Sequence, residues 1–175
     1  MRPFQRFAAL GLGLCLSLFA ACGYTQKTVL PRGMQTIHVN TFQNKIPAAN
    51  IYPYEPGMEI KITNAVIRRL HQDGNLKVLP KDRADVVLEG DLTAFDQEGL
   101  RFTSLERIEE YRLFVVTALR LRDRKTGELL WEEPNFSGDA SYFVTGPRAL
   151  SRGAATDRAI DRLARNVVDR IVEDW

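Results

Sequence analysis

The segment ADVVLEGDLTAF, residues 84–95, alternates in character. Val86, Leu88, Leu92 and Ala94 fall on one side of an extended chain, and Asp85, Glu89, Asp91 and Thr93 on the other. Such a strand has one core face and one wet face. Reading back from it, a short run Leu76–Leu79 follows a stretch in which Met58, Ile62, Ala65, Val66 and Leu70 recur at helical spacing. That stretch stops at Gly74, a residue suited to the position just past a helix end. Residues Gln43–Gly57 hold Pro47, Pro53 and Pro56 with Tyr52 and Tyr54, and read as a loop. Before it, Gln35–Phe42 alternates again, with Ile37, Val39 and Thr41 facing one way and His38, Asn40 and Phe42 the other, and predicts the first strand.

Reading forward, Tyr111–Asp123 gives a nearly unbroken apolar stripe of Tyr111, Leu113, Val115, Thr117, Leu119 and Leu121. The opposite stripe is Arg112, Phe114, Val116, Ala118, Arg120 and Arg122, which sets three apolar residues between basic ones on the face that a single layer of helices leaves open. Thr126 and Gly127 in the charged turn DRKTGE suit a hairpin, with glycine available for a positive φ. The last strand carries Leu130 and Trp131 and extends, broken near Pro134, to Tyr142 and Phe143. Gly146 and Pro147 signal a helix start. From Ala155, apolar residues come in pairs every four positions: Ala159 and Ile160, Leu163 and Ala164, Val167 and Val168, Ile171 and Val172, then Trp175. Gly153 leaves the start of that helix open as far as Thr156.

The expected class is α+β: a two-layer sandwich in which a four-stranded mixed sheet carries two helices on one face, in the order β-α-β-β-β-α. The first connection is a βαβ crossover, which makes the first two strands parallel and the crossover right-handed; the others are hairpins and antiparallel.

At the N-terminus, Arg2 and Arg6 precede an uncharged run from Phe7 to Ala21, the order of a secretory signal peptide. The run is too short for the roughly 20 apolar residues of a spanning helix. In LFAACGY, residues 18–24, small Ala20 and Ala21 stand before Cys22 as in a bacterial lipobox, although Phe19 replaces the usual Leu. Cys22 is then the acylated first residue of the mature chain, and a membrane anchor. An ordinary cleaved signal with an incidental cysteine is the alternative. The other cysteine, Cys15, leaves with the signal. Gly23 stands where an aspartate retains such proteins at the inner membrane, so the expected address is the outer membrane of a Gram-negative cell, on its periplasmic side. The expected organisation is a signal peptide over 1–21, a lipidated linker over 22–33 and one domain over 34–175.

The 175 residues carry 24 Lys and Arg against 22 Asp and Glu, and the excess is Arg2 and Arg6 in the signal. A charge-balanced mature domain of 154 residues has no global field for nucleic acid. No cofactor or metal is expected, since His38 and His71 sit on different elements with no ligand spacing. Catalytic residues are likewise not expected: G-x-S-x-G is absent, and Glu89 with Asp91 reads as the wet face of a strand rather than a carboxylate pair for hydrolysis.

The quoted residues together resemble the outer-membrane lipopolysaccharide-assembly lipoproteins, the LptE family. The resemblance rests on CGY at Cys22, VNTFQN at Val39–Asn44, ADVVLEG at Ala84–Gly90, EYRL at Glu110–Leu113, TGELLW at Thr126–Trp131 and the terminal amphipathic helix, in that order. The loop Gln43–Gly57 departs from it by its length. The resemblance implies a non-enzymatic lipoprotein that plugs and helps assemble an outer-membrane β-barrel partner and binds lipopolysaccharide on its way to the cell surface. The stripe of Arg112, Phe114, Val116, Ala118, Arg120 and Arg122 is the candidate barrel-facing surface, or else a sheet face that the long loop partly covers. Topology gathers Arg101 and Arg107 on a loop Gln97–Arg107, and Arg148 and Arg152 on the connection Thr145–Arg152, at the end of the sheet away from the anchor. These are the candidate lipopolysaccharide contacts, because a planar guanidinium suits phosphate. Arg122, Arg124 and Lys125 form the competing cluster, and solvated loop arginines with no ligand are the plain alternative. An adaptor of another envelope machine is the rival function.

Overall fold

Strand β1 (Thr36–Val39) and strand β4 (Val86–Phe102) lie side by side and parallel in the computed structural model, with Ile37 beside Val86 and Val39 beside Leu88. The structure describes residues 33–49 and 55–173. Asp85 clasps the two strands where they start. Its carboxylate accepts hydrogen bonds from the Thr36 hydroxyl (2.7 Å) and from the backbone N–H groups of Gln35 and Thr36 (3.1 Å each). The Thr36 hydroxyl, more than the two backbone donors, holds the Asp85 carboxyl below its ordinary pKa against the opposing effect of burial.

Between these strands the chain forms β2 (Gln43–Asn44), helix α1 (Met58–Asp73) and β3 (Lys77–Val78), and after them β5 (Ile108–Asp123), β6 (Leu129–Phe143) and helix α2 (Arg152–Glu173). The sheet order is β3-β1-β4-β5-β6, with β2 pairing the outer part of β4. Both hairpins are antiparallel and the strands about the crossover are parallel, as expected. The alternation of β5 is strict: Leu113, Val115, Thr117, Leu119 and Leu121 are buried beneath the helices while their neighbours are half-exposed. Each fully buried leucine of that stripe contributes about 1.5–3 kcal/mol. The helices supply the facing layer through Ile62, Val66 and Leu70 of α1 and Ala159, Leu163, Val167 and Ile171 of α2.

The expected four-stranded sheet is corrected to six. Strands β2 and β3 have two residues each, too short for any period to show, and they form only because β1 and β4 present unpaired edges to them. Strand β4 also runs on to Phe102, so the region from Gln97 is ladder rather than loop, and Arg101 sits on a strand opposite Glu110. The turn that follows is tight, with the Thr103 N–H donating to the Arg107 carbonyl at 2.7 Å. A bulge between Leu92 and Ala94 turns the alternation over, so that Phe95 and not Ala94 enters the core. The first strand, expected over Gln35–Phe42, ends at Val39; Phe42 lies beyond it and is buried above Gly90, where a Cβ would collide with its ring.

Strand β6 passes Pro134 without a break, because a register shift opposite Ala118 absorbs it on an edge strand. Gly146 and Pro147 form a turn and not the helix start. Helix α2 begins at Arg152, where the Ser151 hydroxyl accepts from the Ala154 N–H at 3.2 Å. The two helices run in the same direction, tied by Lys61–Asp157 (3.3 Å) and Arg69–Asp169 (3.6 Å). Their N-termini therefore share the end of the sheet where β4 and β6 finish. The DRKTGE turn lies at the opposite end, with Gly127 at φ 73° and Asp123 accepting from the Lys125 and Thr126 N–H groups. Residues 1–21 and the linker to residue 32, with Cys22, lie outside the described residues.

Helix α2 comes so close to β6 at Gly138 that an added Cβ would meet the backbone of Ala159 and Leu163. Backbone cannot swing aside as a side chain can. Gly138→Ala is expected to lower stability by about 1–3 kcal/mol, read as a lower urea midpoint at unchanged slope; an unchanged midpoint would show that the helix does not rest on this glycine.

Candidate functional site

The end of the sheet away from the DRKTGE turn holds the β4–β5 hairpin tip and the β6–α2 connection, joined where the Val144 N–H donates to the Glu109 carbonyl at 3.0 Å. On this joint stands Phe143. The Arg101 guanidinium carbon lies 5.7 Å from its ring centroid and that of Arg148 4.9 Å, so two cations share one aromatic ring. Glu110 steadies Arg101 at 3.5 Å. Around them Leu100, Phe102, Leu105 and Val144 are exposed, Leu105 to 75% and Phe102 to 57%, a concentration of large apolar side chains in water that the fold itself does not require. A depression of about 450 Å³ beside Phe143 reaches from Glu110 to Arg148 and Arg158.

Of the four arginines expected to converge, Arg101 and Arg148 do so. Arg107 lies exposed in the hairpin turn. Arg152 belongs to this end but turns inward, its guanidinium 5.2 Å from the Phe95 ring, with Nε and Nη2 buried and without hydrogen-bond partners. Burial raises the pKa of the neighbouring Tyr142 phenol, although the Arg152 charge pulls the other way. Phe143 and the exposed apolar residues were not picked out by sequence. Phe143 reads there only as the end of a strand, and its role comes from the register that sets it opposite Glu110.

The stripe on β5 is half-exposed throughout, from Arg112 and Phe114 through Val116 and Ala118 to Arg120 and Arg122. Its arginines are occupied. Arg120 donates to Asp91 at 2.9 Å and lies 3.7 Å from Glu89, and the Asp91 hydrogen bond raises its pKa further. Arg122 meets Glu89 at 3.3 Å, and Arg112 meets Asp139 at 2.8 Å while lying over Phe114. Glu89 and Asp91 are thus ion-pair partners and not a free pair of carboxylates. Of the competing basic cluster, Arg124 donates to the Ala84 carbonyl at 2.6 Å and serves the turn. Among the described residues no group of three or more His, Cys, Asp or Glu gathers as a metal would need, and no helix is long and apolar enough to cross a membrane.

A family model described as "LptE: Lipopolysaccharide-assembly" matches residues 34–175. The chain belongs to the LptE family. That membership makes it one of the non-enzymatic lipoproteins of lipopolysaccharide assembly, which associate with the lipopolysaccharide-transport machinery. No curated protein matches it. Solved structures share its fold at low identity. A protein of Xanthomonas campestris has TM-score 0.56 and 10% identity, covering 83% of this chain and 90% of its own. A hypothetical protein of Chlamydia trachomatis has TM-score 0.53 and 13% identity, covering 79% and 95%. A PelC dodecamer variant of Paraburkholderia phytofirmans has 0.52 and 14%, covering 85% and 96%.

Asp139 is the hinge of the ionic face. Burial raises its pKa, but hydrogen bonds and charge from Arg112 and Arg162 outweigh that and hold it below the usual carboxylate range. Its contribution is therefore present above about pH 4 and lost as pH falls through the folded-state value. Asp139→Asn is expected to cost about 1 kcal/mol in urea unfolding at pH 7 and progressively less as the pH falls below about 4; a cost that does not change with pH would place the effect in shape rather than charge.

Proposed function

We propose that this lipoprotein is anchored through acylated Cys22 to the periplasmic leaflet of the outer membrane, plugs a β-barrel of the lipopolysaccharide translocon, and holds lipopolysaccharide at the end of its sheet. One observation carries the reading. Arg101 and Arg148 converge on Phe143 beside exposed Leu100, Phe102, Leu105 and Val144. A phosphorylated lipid presents anionic groups next to hydrocarbon, and this end offers guanidinium forks next to apolar side chains. Arg107 at the hairpin tip adds a third cation within the same region, whereas Arg152, turned toward Phe95, serves the packing of α2.

The open sheet face supports the other half of the proposal. Its arginines are matched by Glu89, Asp91 and Asp139, so it is polar yet internally neutralised, with Phe114, Val116 and Ala118 between the pairs. Barrel interiors are themselves polar. A surface of satisfied ion pairs can seat against such a wall without stranding a charge. Charges left unmatched there would oppose insertion.

Two experiments test these halves. Cys22→Ser is expected to abolish palmitate labelling and release the protein from the outer membrane; a wild-type protein without label would remove the anchor. Reversing Arg101 and Arg148 together to Glu is expected to weaken lipopolysaccharide binding by roughly 2–3 kcal/mol, less so as salt rises. Unchanged affinity would place the ligand elsewhere.

A further inference from the structure

The outer edge of β6 offers a second surface, which adjoins the Phe143 depression at Ser141 and Arg158 and runs from there along helix α2. Among the described residues no strand pairs with β6 on the side away from β5. Two contacts reveal which of its backbone groups point outward. The Ser137 carbonyl accepts from the Asn166 side chain at 3.2 Å, and the Phe143 carbonyl accepts from the Leu150 N–H at 3.0 Å. Both groups face away from β5, and the ladder between them has no register shift. By the two-residue period of a strand, the N–H and C=O groups of Asp139 and Ser141 face outward as well. They lie between the two capped positions, where another backbone could take them up.

Helix α2 overlooks this edge with a row of arginines. Arg158, Arg162 and Arg165 are exposed and line a cleft of about 280 Å³ with Asp139, Ser141 and Asp161. The two acids in it are already engaged, Asp139 by Arg112 and Arg162 and Asp161 by Arg68 at 3.9 Å. Arg158 and Arg165 have no acidic partner among the described residues, unlike the three arginines of the β5 stripe. Arg162 already wraps the edge to reach Asp139 from the helix side at 3.2 Å. Arg158 and Arg162, four residues apart, stand about 6 Å apart along the helix axis, close to the ~6.7 Å between alternate residues of a strand.

We infer that the β6 edge, flanked by Arg158, Arg162 and Arg165, receives an extended acidic polypeptide segment as an added strand. The outward groups of Asp139 and Ser141 supply the main-chain hydrogen bonds, and acidic side chains on the incoming strand's helix-facing side meet the arginines on α2. A bare phosphate could use the arginines, but only a peptide could also use the strand edge. Charge balance favours the same occupant, since the cations that lack partners lie where alternate acidic residues of a paired strand would fall.

The test uses the mature lipoprotein in detergent micelles and an eight-residue peptide alternating Glu with Val, with the Lys-and-Val peptide as control. The glutamate peptide is expected to bind and the lysine peptide not. Amide hydrogen exchange at Asp139 and Ser141 is expected to slow in the complex, a readout that needs no variant. Arg158→Glu with Arg165→Glu, both on exposed helix surface, is expected to weaken binding at least tenfold. Ser141→Pro, which removes an outward N–H on an edge strand where proline is tolerated, is expected to weaken it several-fold. Absence of peptide binding would overturn the inference. So would binding without protection of Asp139 and Ser141, which marks charge attraction alone. Arginine-dependent binding of vesicles containing a phosphorylated lipid that the peptide cannot displace would overturn it too, by assigning the cleft to a lipid.

Discussion

A sixteen-residue strand that buries every second side chain from Leu113 to Leu121, with arginines at both ends of its other side, constrains everything around it. In β5 the first set, Leu113 to Leu121, must be covered, and two helices cover it. Nothing among the described residues covers the second set, so that face has to be stable while bare. It meets this condition by pairing Arg112, Arg120 and Arg122 with acids that β4 and β6 place opposite them. The cross-strand register is therefore also the electrostatic design of the open face: Glu89 is set opposite Arg120 and Asp139 opposite Phe114, one step from Arg112.

The same constraint separates scaffold from working surface. Where the helices cover the sheet, buried leucines and valines fix β4, β5 and β6 in one register. Beyond the helix N-termini the β4–β5 hairpin continues without cover, and the apolar residues it carries, Leu100, Phe102 and Leu105, are left in water. The lipid-holding role proposed above would give that exposure a use, because an amphipathic lipid presents anionic groups beside hydrocarbon. The close approach of α2 at Gly138 keeps the helix seated on β6, and so also fixes the arginine row beside the strand edge.

The long periodic elements were legible in the sequence. Helix α1 ends at Gly74 and the buried face of α2 is the paired series from Ala159 to Ile171, because both signals repeat over several turns. The parallel crossover and the two hairpins followed from connection lengths. What escaped was set by tertiary context. Strands β2 and β3 have no period of their own, and the bulge after Leu92 exchanged Ala94 for Phe95 in the core. Arg101 reads as loop because Glu98, Gly99 and Leu100 show no alternation, yet pairing with β5 extends the ladder through it. At the far end, charge and topology anticipated that Arg101 and Arg148 come together. They could not show that Arg152 folds inward onto Phe95, a contact between residues 57 positions apart in the chain.

The central claim is that the bare face of β5 is completed by another protein, a barrel of the lipopolysaccharide translocon. A photo-reactive residue in place of Phe114, in the middle of that face, tests this most directly when the protein is crosslinked in living Gram-negative cells and the adduct is identified by mass spectrometry. The account predicts a single large adduct containing an outer-membrane β-barrel, together with weaker crosslinking from an exposed helix position such as Arg68. An adduct with a secretin ring, or a Phe114 probe that captures no protein while the lipoprotein remains functional, would contradict it.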